Sequence, residues 1–185
     1  MTQYDLSQLR VLVVDDNQFM VRLVRTMLAA FGVRGVVEAY DGSQALERMN
    51  EGTIDLIILD WEMPILNGAE LVRLVRNPEH PCAYAPIIMI TGHTTVRRVE
   101  DAQAMGVNDI IGKPFSTECL YNHLLDNVLH PRPFLRTIDY FGPKPRLPEL
   151  THALTRDAEP QGVGAMHQII ISEADDMFTE TVDVA

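Results

Sequence analysis

Between residues 9 and 129, short apolar runs alternate five times with stretches in which apolar residues recur every three or four positions. The runs read as strands: Leu9 to Val14, Val36 to Ala39, Ile54 to Asp60, Pro86 to Thr91 and Val107 to Ile111. Unbroken apolar runs of this length are the pattern of parallel strands covered on both faces. The periodic stretches read as helices. Met20, Leu23, Val24, Met27, Leu28 and Phe31 place one from Gln18 to about Phe31, stopped by Gly32. Asp41-Gly42-Ser43 opens a second, with Ala45, Leu46 and Met49 on one face and an end near Gly52. A third carries Leu71, Leu74 and Val75 and is broken by Asn77-Pro78; a fourth spans Thr95 to Met105. The fifth, Ser116 to Leu129, turns Leu120, Leu124, Leu125 and Val128 inward. Right-handed crossovers then predict an α/β fold, a doubly wound five-stranded parallel sheet flanked by five helices.

This pattern ends at His130, which sets the expected division into a domain over 1–130 and an appendage over 131–185. Proline-rich stretches such as Pro131-Arg132-Pro133-Phe134 and Phe141-Gly142-Pro143-Lys144-Pro145 favour an extended arm over a helix. Met166 to Ile171 reads as a short strand, and Glu173 to Thr181 as a helical turn or a disordered acidic tail. Charge divides in the same place. Residues 131–156 hold five Arg or Lys against two acids, whereas 157–185 hold seven acids and no Arg or Lys.

Composition narrows the function classes. A formal charge of −11 argues against general affinity for nucleic acid, which basic faces bind. The sequence has neither an apolar stretch of membrane-spanning length nor a signal-peptide pattern at Met1-Thr2-Gln3-Tyr4-Asp5, so a cytoplasmic protein is expected. Cys82 and Cys119 lack metal-ligand spacing and read as reduced thiols.

The chemistry is concentrated where the strands end. Asp15-Asp16 follows the first strand, Asp60 closes the third, Thr91 closes the fourth and Lys113-Pro114 follows the fifth. In open parallel sheets the site lies outside the carboxyl ends of the strands, so three carboxylates, a lysine and a threonine converge on one edge. Like charges gathered so closely require a cation, which points to metal-dependent chemistry. Singly, each residue has a plainer reading: Asp15-Asp16 and Thr91 as helix caps, Lys113 as a solvated side chain. Their coincidence in order at successive strand ends is what carries the functional reading.

Over about residues 8–130 the chain resembles the receiver domain of two-component response regulators. The resemblance rests on Val11-Leu12-Val13-Val14-Asp15-Asp16, Asp60 with Met63-Pro64 and Gly68, Ile90-Thr91-Gly92, and Lys113-Pro114-Phe115. It implies a flavodoxin-like fold and a phosphoacceptor role for Asp60, served by a histidine kinase or histidine phosphotransfer protein. It also implies a Mg²⁺ ion held by Asp16, Asp60 and the backbone carbonyl of Glu62, with Asp15 acting through water. Lys113 and Thr91 would bond the phosphoryl oxygens, and the Lys113–Pro114 bond would be cis. Output would pass by protein contact to a downstream target, with neither nucleic acid nor membrane as partner and with no enzymatic turnover. A homodimer through the arm or through the face of the fourth helix, fifth strand and fifth helix is a further expectation.

One position departs from the family. Three residues before the lysine the family commonly has an aromatic switch residue, and this chain has Ile110. Switching between Thr91 and Ile110 is therefore expected to run differently from the family pattern, the plain alternative being a packed strand residue. Glu62 and His93 flank the expected phosphoryl position; His93 reads as a base or as an exposed loop histidine. Gly92 leaves room for a partner's histidine, His123 reads as surface or interface, and Trp61 as a half-exposed neighbour of the metal. In the arm, Phe134, Arg136, Tyr140 and Phe141 have the composition of a docking peptide, or else cover an apolar patch on their own domain. Two other functions compete. A haloacid-dehalogenase-type phosphohydrolase also forms an aspartyl phosphate, but needs Asp-x-Asp where this chain has Asp60-Trp61-Glu62. A nucleic-acid-binding regulator acting through the basic arm is the other.

Overall fold

The structure, a computed structural model, describes residues 4–92 and 94–145. His93, the strand expected at 166–171 and the acidic tail lie outside the described residues. Twelve elements follow in chain order: β1 Arg10–Val14, α1 Gln18–Ala30, β2 Gly35–Ala39, α2 Gly42–Asn50, β3 Leu56–Asp60, α3 Gly68–Val75, β4 Ile87–Thr91, α4 Val96–Ala104, β5 Asp109–Gly112, α5 Thr117–Leu129, β6 Phe134–Arg136 and β7 Phe141–Pro143. The first five strands form one parallel sheet in the order β2-β1-β3-β4-β5. This is the doubly wound fold that the sequence predicts. Among the described residues no helix is long and apolar enough to cross a membrane.

Alternate residues of each buried strand feed two cores. On one face Leu12, Val14, Ile57, Leu59, Ile87 and Met89 pack against α2, α3 and α4. On the other, Val11, Val13, Leu56, Ile58, Ile88, Ile90 and Ile111 meet Val21, Val24 and Leu28 of α1 and Leu120 and Leu124 of α5. Each helix starts at a side chain that accepts a backbone N–H of its first turn: Asn17, Asp41, Asn67, Thr95 and Ser116. Gly32, at φ 94°, ends α1 in a conformation that costs other residues energy. One helical face differs from expectation. Leu74 is exposed and Val72 is buried, because the short α3 turns Leu71, Val72 and Val75 to the sheet.

The arm, expected to be extended, folds back through its described part as an antiparallel hairpin of β6 and β7. It lies against its own domain at the N-terminal ends of β4 and β5. Rings of Tyr84, Phe134 and Phe141 meet with centroids 5.0, 5.3 and 5.6 Å apart. Beneath them is Arg76, 5% exposed, with its guanidinium carbon 5.2 Å from the Phe134 ring centre. Its nitrogens donate to the carbonyls of Gly106, Ala83 and Ala85 and to the Asn108 side chain, at 2.7–3.0 Å. Burial, helped by the nearby charge of Arg132, pulls the Arg76 pKa down to about 10, which leaves it charged at neutral pH. Arg132 also donates to the Asn108 carbonyl, and the Tyr140 hydroxyl to the Pro143 carbonyl. Of the candidate docking residues, Phe134, Tyr140 and Phe141 are therefore engaged within the chain, whereas Arg136 is exposed. The hairpin belongs to the compact unit Met1–Arg146.

Phe134→Ala is expected to lower the unfolding free energy by about 1–3 kcal/mol, since it removes ring packing and the aromatic cover of a buried guanidinium. Ile138→Ala, at a fully exposed position of the same hairpin, should be silent in the same urea titration.

Candidate functional site

Strand register decides which side chains meet. Val14 pairs with Leu59, Asp60 with Ile90, and Thr91 with Gly112. Asp15, one residue beyond β1, thus stands level with Asp60, and Lys113, one beyond β5, follows Gly112 opposite Thr91. The sheet order puts β1 and β3 side by side with crossovers running to opposite faces, the switch point where open sheets bind ligands.

The local chain fixes each group. Asp15 accepts the N–H of Asn17 at 2.8 Å through one oxygen and the Lys113 ammonium at 3.0 Å through the other. Lys113 also reaches Asp60 at 3.1 Å. Its backbone N–H donates to the Thr91 carbonyl, and the Lys113–Pro114 peptide is cis. Asp15, Asp60 and Thr91 are buried, while Asp16 is exposed at the rim. After Asp60 the chain turns at once, with the Gly68 N–H donating to the Trp61 carbonyl and Asn67 and Glu70 forming a reciprocal cap on α3. No side chain fits at Gly68, where a Cβ would lie 2.3 Å from the Asp60 carbonyl oxygen.

Carboxylate oxygens of Asp15, Asp16 and Asp60 lie within 4.8 Å of one another. Three carboxylates and the single Lys113 ammonium leave two negative charges in formal count. That is the charge of one hard divalent cation, and an all-oxygen donor set suits Mg²⁺. The electrostatics agree. Burial and the neighbouring charge of Asp15 push the Asp60 carboxyl above its ordinary range, against the opposing pull of Lys113. For Lys113, burial opposes the charge, yet hydrogen bonds and attraction from Asp15 and Asp60 raise its pKa overall.

Ile110 is half-buried and packs against the core cluster that includes Met89, Ala102 and Val107. Trp61 is half-exposed and His123 lies 3.5 Å from the Asp109 carboxylate. A Cβ at Gly92 would meet nothing within 4 Å. Arg98 of α4 was not a sequence candidate. Its guanidinium donates to Glu62 at 2.9 Å and to the Thr91 hydroxyl at 3.4 Å, and lies 5.0 Å from the Trp61 ring centre. A basic residue in the first turn after the Thr91 loop was the available signal.

A sequence model described as the response regulator receiver domain matches residues 11–125. The chain belongs to that family. It is 33% identical to the chemotaxis protein CheY of Pseudomonas aeruginosa over 112 residues, 60% of this chain and 90% of that one. It is 42% identical to the CAI-1 autoinducer sensor kinase/phosphatase CqsS of Vibrio cholerae over 113 residues, 61% of this chain but 16% of that protein. Among solved structures, the receiver domain of a Pseudomonas aeruginosa sensor histidine kinase superposes with a TM-score of 0.57 at 30% identity, covering 63% of this chain and 94% of that one. That structure has magnesium coordinated in its active-site cleft. Vibrio cholerae CheY4 gives a TM-score of 0.59 at 33% identity, covering 63% and 95%. The chain is thus a receiver domain of phosphorelay signalling, and neither the dehalogenase-type nor the nucleic-acid reading finds support in these relatives.

A raised carboxylate pKa means that folding is penalised once Asp60 ionises. The contribution is full below the unfolded-state pKa and lost as pH rises through the higher folded-state value. Asp60→Asn should therefore raise Tm of the metal-free protein at pH 7, and the gain should vanish as pH falls below that window. Gly68→Ala should cost about 1–3 kcal/mol in urea denaturation, because the added carbon meets backbone and not a flexible side chain.

Proposed function

We propose that this chain accepts one phosphoryl group on Asp60 from a phosphohistidine of a histidine kinase or phosphotransfer protein, and passes the signal on by protein contact. The convergence of Asp60, Asp15, Asp16 and Lys113 at one sheet edge is the observation that carries this reading. An Asp60 oxygen attacks phosphorus as the P–N bond to the donor imidazole breaks; the imidazole nitrogen keeps the electron pair and takes up a proton. Asp15, Asp16 and Asp60 would hold Mg²⁺, with the Glu62 backbone carbonyl as a further ligand. The ion supplies neutralisation of the phosphoryl oxygens during transfer. Lys113, paired with Asp15 and Asp60, would balance the remaining charge, and Thr91 would offer its hydroxyl to the oxygens that arrive. The open space at Gly92 suits the approach of a donor imidazole. Transfer is stoichiometric, and it requires Asp60 to be ionised.

The test is incubation with Mg²⁺ and acetyl phosphate or phosphoramidate, followed by intact mass and peptide mapping. One phosphoryl group should appear on Asp60 in the native chain, none in Asp60→Asn, and none with excess chelator. Lys113→Ala should slow labelling by about 100-fold or more. A label mapped elsewhere, or continuous turnover of the small donor, would overturn the proposal.

A further inference from the structure

The fold leaves α4 tied at one end. Among its described residues Ala102 alone is buried, and its first residue, Val96, is 68% exposed. The C-terminal end is pinned: Val107 donates to the Ala102 carbonyl, and the Gly106 carbonyl accepts from the buried Arg76. The hairpin closes over that point, so that a Cβ on Gly142 would lie 2.9 Å from the Gly106 Cα. At the N-terminal end Arg98, half-buried, reaches from the first turn of α4 to Glu62, Trp61 and Thr91. It lines a cavity of about 450 Å³ shared with Asp16, Trp61, Glu62 and Asn67, beside the metal-binding carboxylates.

Resting on the phosphoacceptor reading above, we propose that Arg98 is a positioning residue that couples Asp60 to α4. In the unphosphorylated chain its guanidinium bridges Glu62 and Thr91. When Asp60 carries a phosphoryl group, Arg98 leaves Glu62 for the phosphoryl oxygens and draws the first turn of α4 toward the site.

Charge and geometry support the exchange. The phosphoryl group carries about −1.5 to −2 of charge where ionised Asp60 carried one, and its three strong acceptors can take a guanidinium fork bidentately, whereas Arg98 reaches Glu62 through one nitrogen. The bond to Glu62 is weak by nature, because the Glu62 side chain is 56% exposed. Thr91, 1% exposed, already accepts from Arg98, so a turn of its hydroxyl toward Asp60 weakens the resting bridge at the same moment. This path needs no aromatic side chain at Ile110. It moves the free end of a helix whose other end is clamped by Arg76 and the hairpin.

Amide hydrogen exchange over residues 94–100 is the readout, measured with and without Mg²⁺ and beryllofluoride, a stable stand-in for the phosphoryl group. Calorimetric titration gives the beryllofluoride affinity, and acetyl phosphate labelling checks the acceptor in parallel. In the native chain, exchange should slow on beryllofluoride binding. Arg98→Ala should still fold and acquire the label on Asp60, more slowly than the native chain, yet show no change in exchange, and Arg98→Lys should respond in part. Glu62→Gln, which releases Arg98 from its resting partner, should bind beryllofluoride about two- to fivefold more tightly. A response of native size in Arg98→Ala, a labelled native chain whose α4 does not respond, or unchanged affinity in Glu62→Gln would overturn the proposal. So would loss of labelling in Arg98→Ala, which would place Arg98 in the transfer chemistry itself. Failure to label the native chain would instead sink the phosphoacceptor reading, and this proposal with it.

Discussion

Two buried carboxylates, Asp15 and Asp60, face each other across adjacent strands with one ammonium between them. The backbone enforces this repulsion: parallel register sets β1 and β3 side by side, and both acids fall where the strands run out. Moving either residue by one position would turn its side chain into an apolar layer. The charge is therefore held in place by the sheet, where burial and the charge of Asp15 push the Asp60 pKa up against the pull of Lys113. A site kept short of positive charge can use an incoming cation and then an incoming phosphoryl group. That connects the hydrophobic pattern of the strands to a reaction at their ends.

Much of this was legible from sequence because the strands are buried on both faces. Runs such as Leu56-Ile57-Ile58-Leu59 leave no doubt about depth, and an acid that ends such a run must emerge at the carboxyl edge. The roles proposed for Lys113 and Thr91 come from the family resemblance, since spacing alone leaves them open. Helix faces were less secure. In the short α3, Leu71, Leu74 and Val75 fit a helical period as well as Leu71, Val72 and Val75 do, and the sheet selects the second set.

Contacts made by long side chains after the chain has folded were not legible. Arg98 sits in a helix with one buried residue, so periodicity carries no information about it. Its destination depends on how the α3 loop brings Trp61 and Glu62 alongside. The hairpin failed to show for a related reason. Its prolines read as an extended arm, and its strands are indeed extended, but they pair because Tyr84 and Arg76, far away in sequence, offer a platform. Ile65, at φ 69° and 85% exposed, is likewise a backbone state set by the loop against the preference of a β-branched residue.

The two ends of the sheet then divide the work. At the N-terminal ends of β4 and β5, a buried guanidinium whose three nitrogens each donate to a carbonyl or an amide, beneath the Phe134 ring, makes a stiff junction between α3, β5 and the hairpin. At the C-terminal ends, charges are exposed or imperfectly balanced and the covering helix is lightly packed. Ion-pair exchange of the kind that Arg98 can make costs little there, because a half-exposed pair contributes about 1 kcal/mol or less. The same exchange at Arg76 would strand a buried charge and cost several times as much. Motion should therefore be confined to the end of α4 that borders the carboxylates, which is where a change in charge on Asp60 is felt.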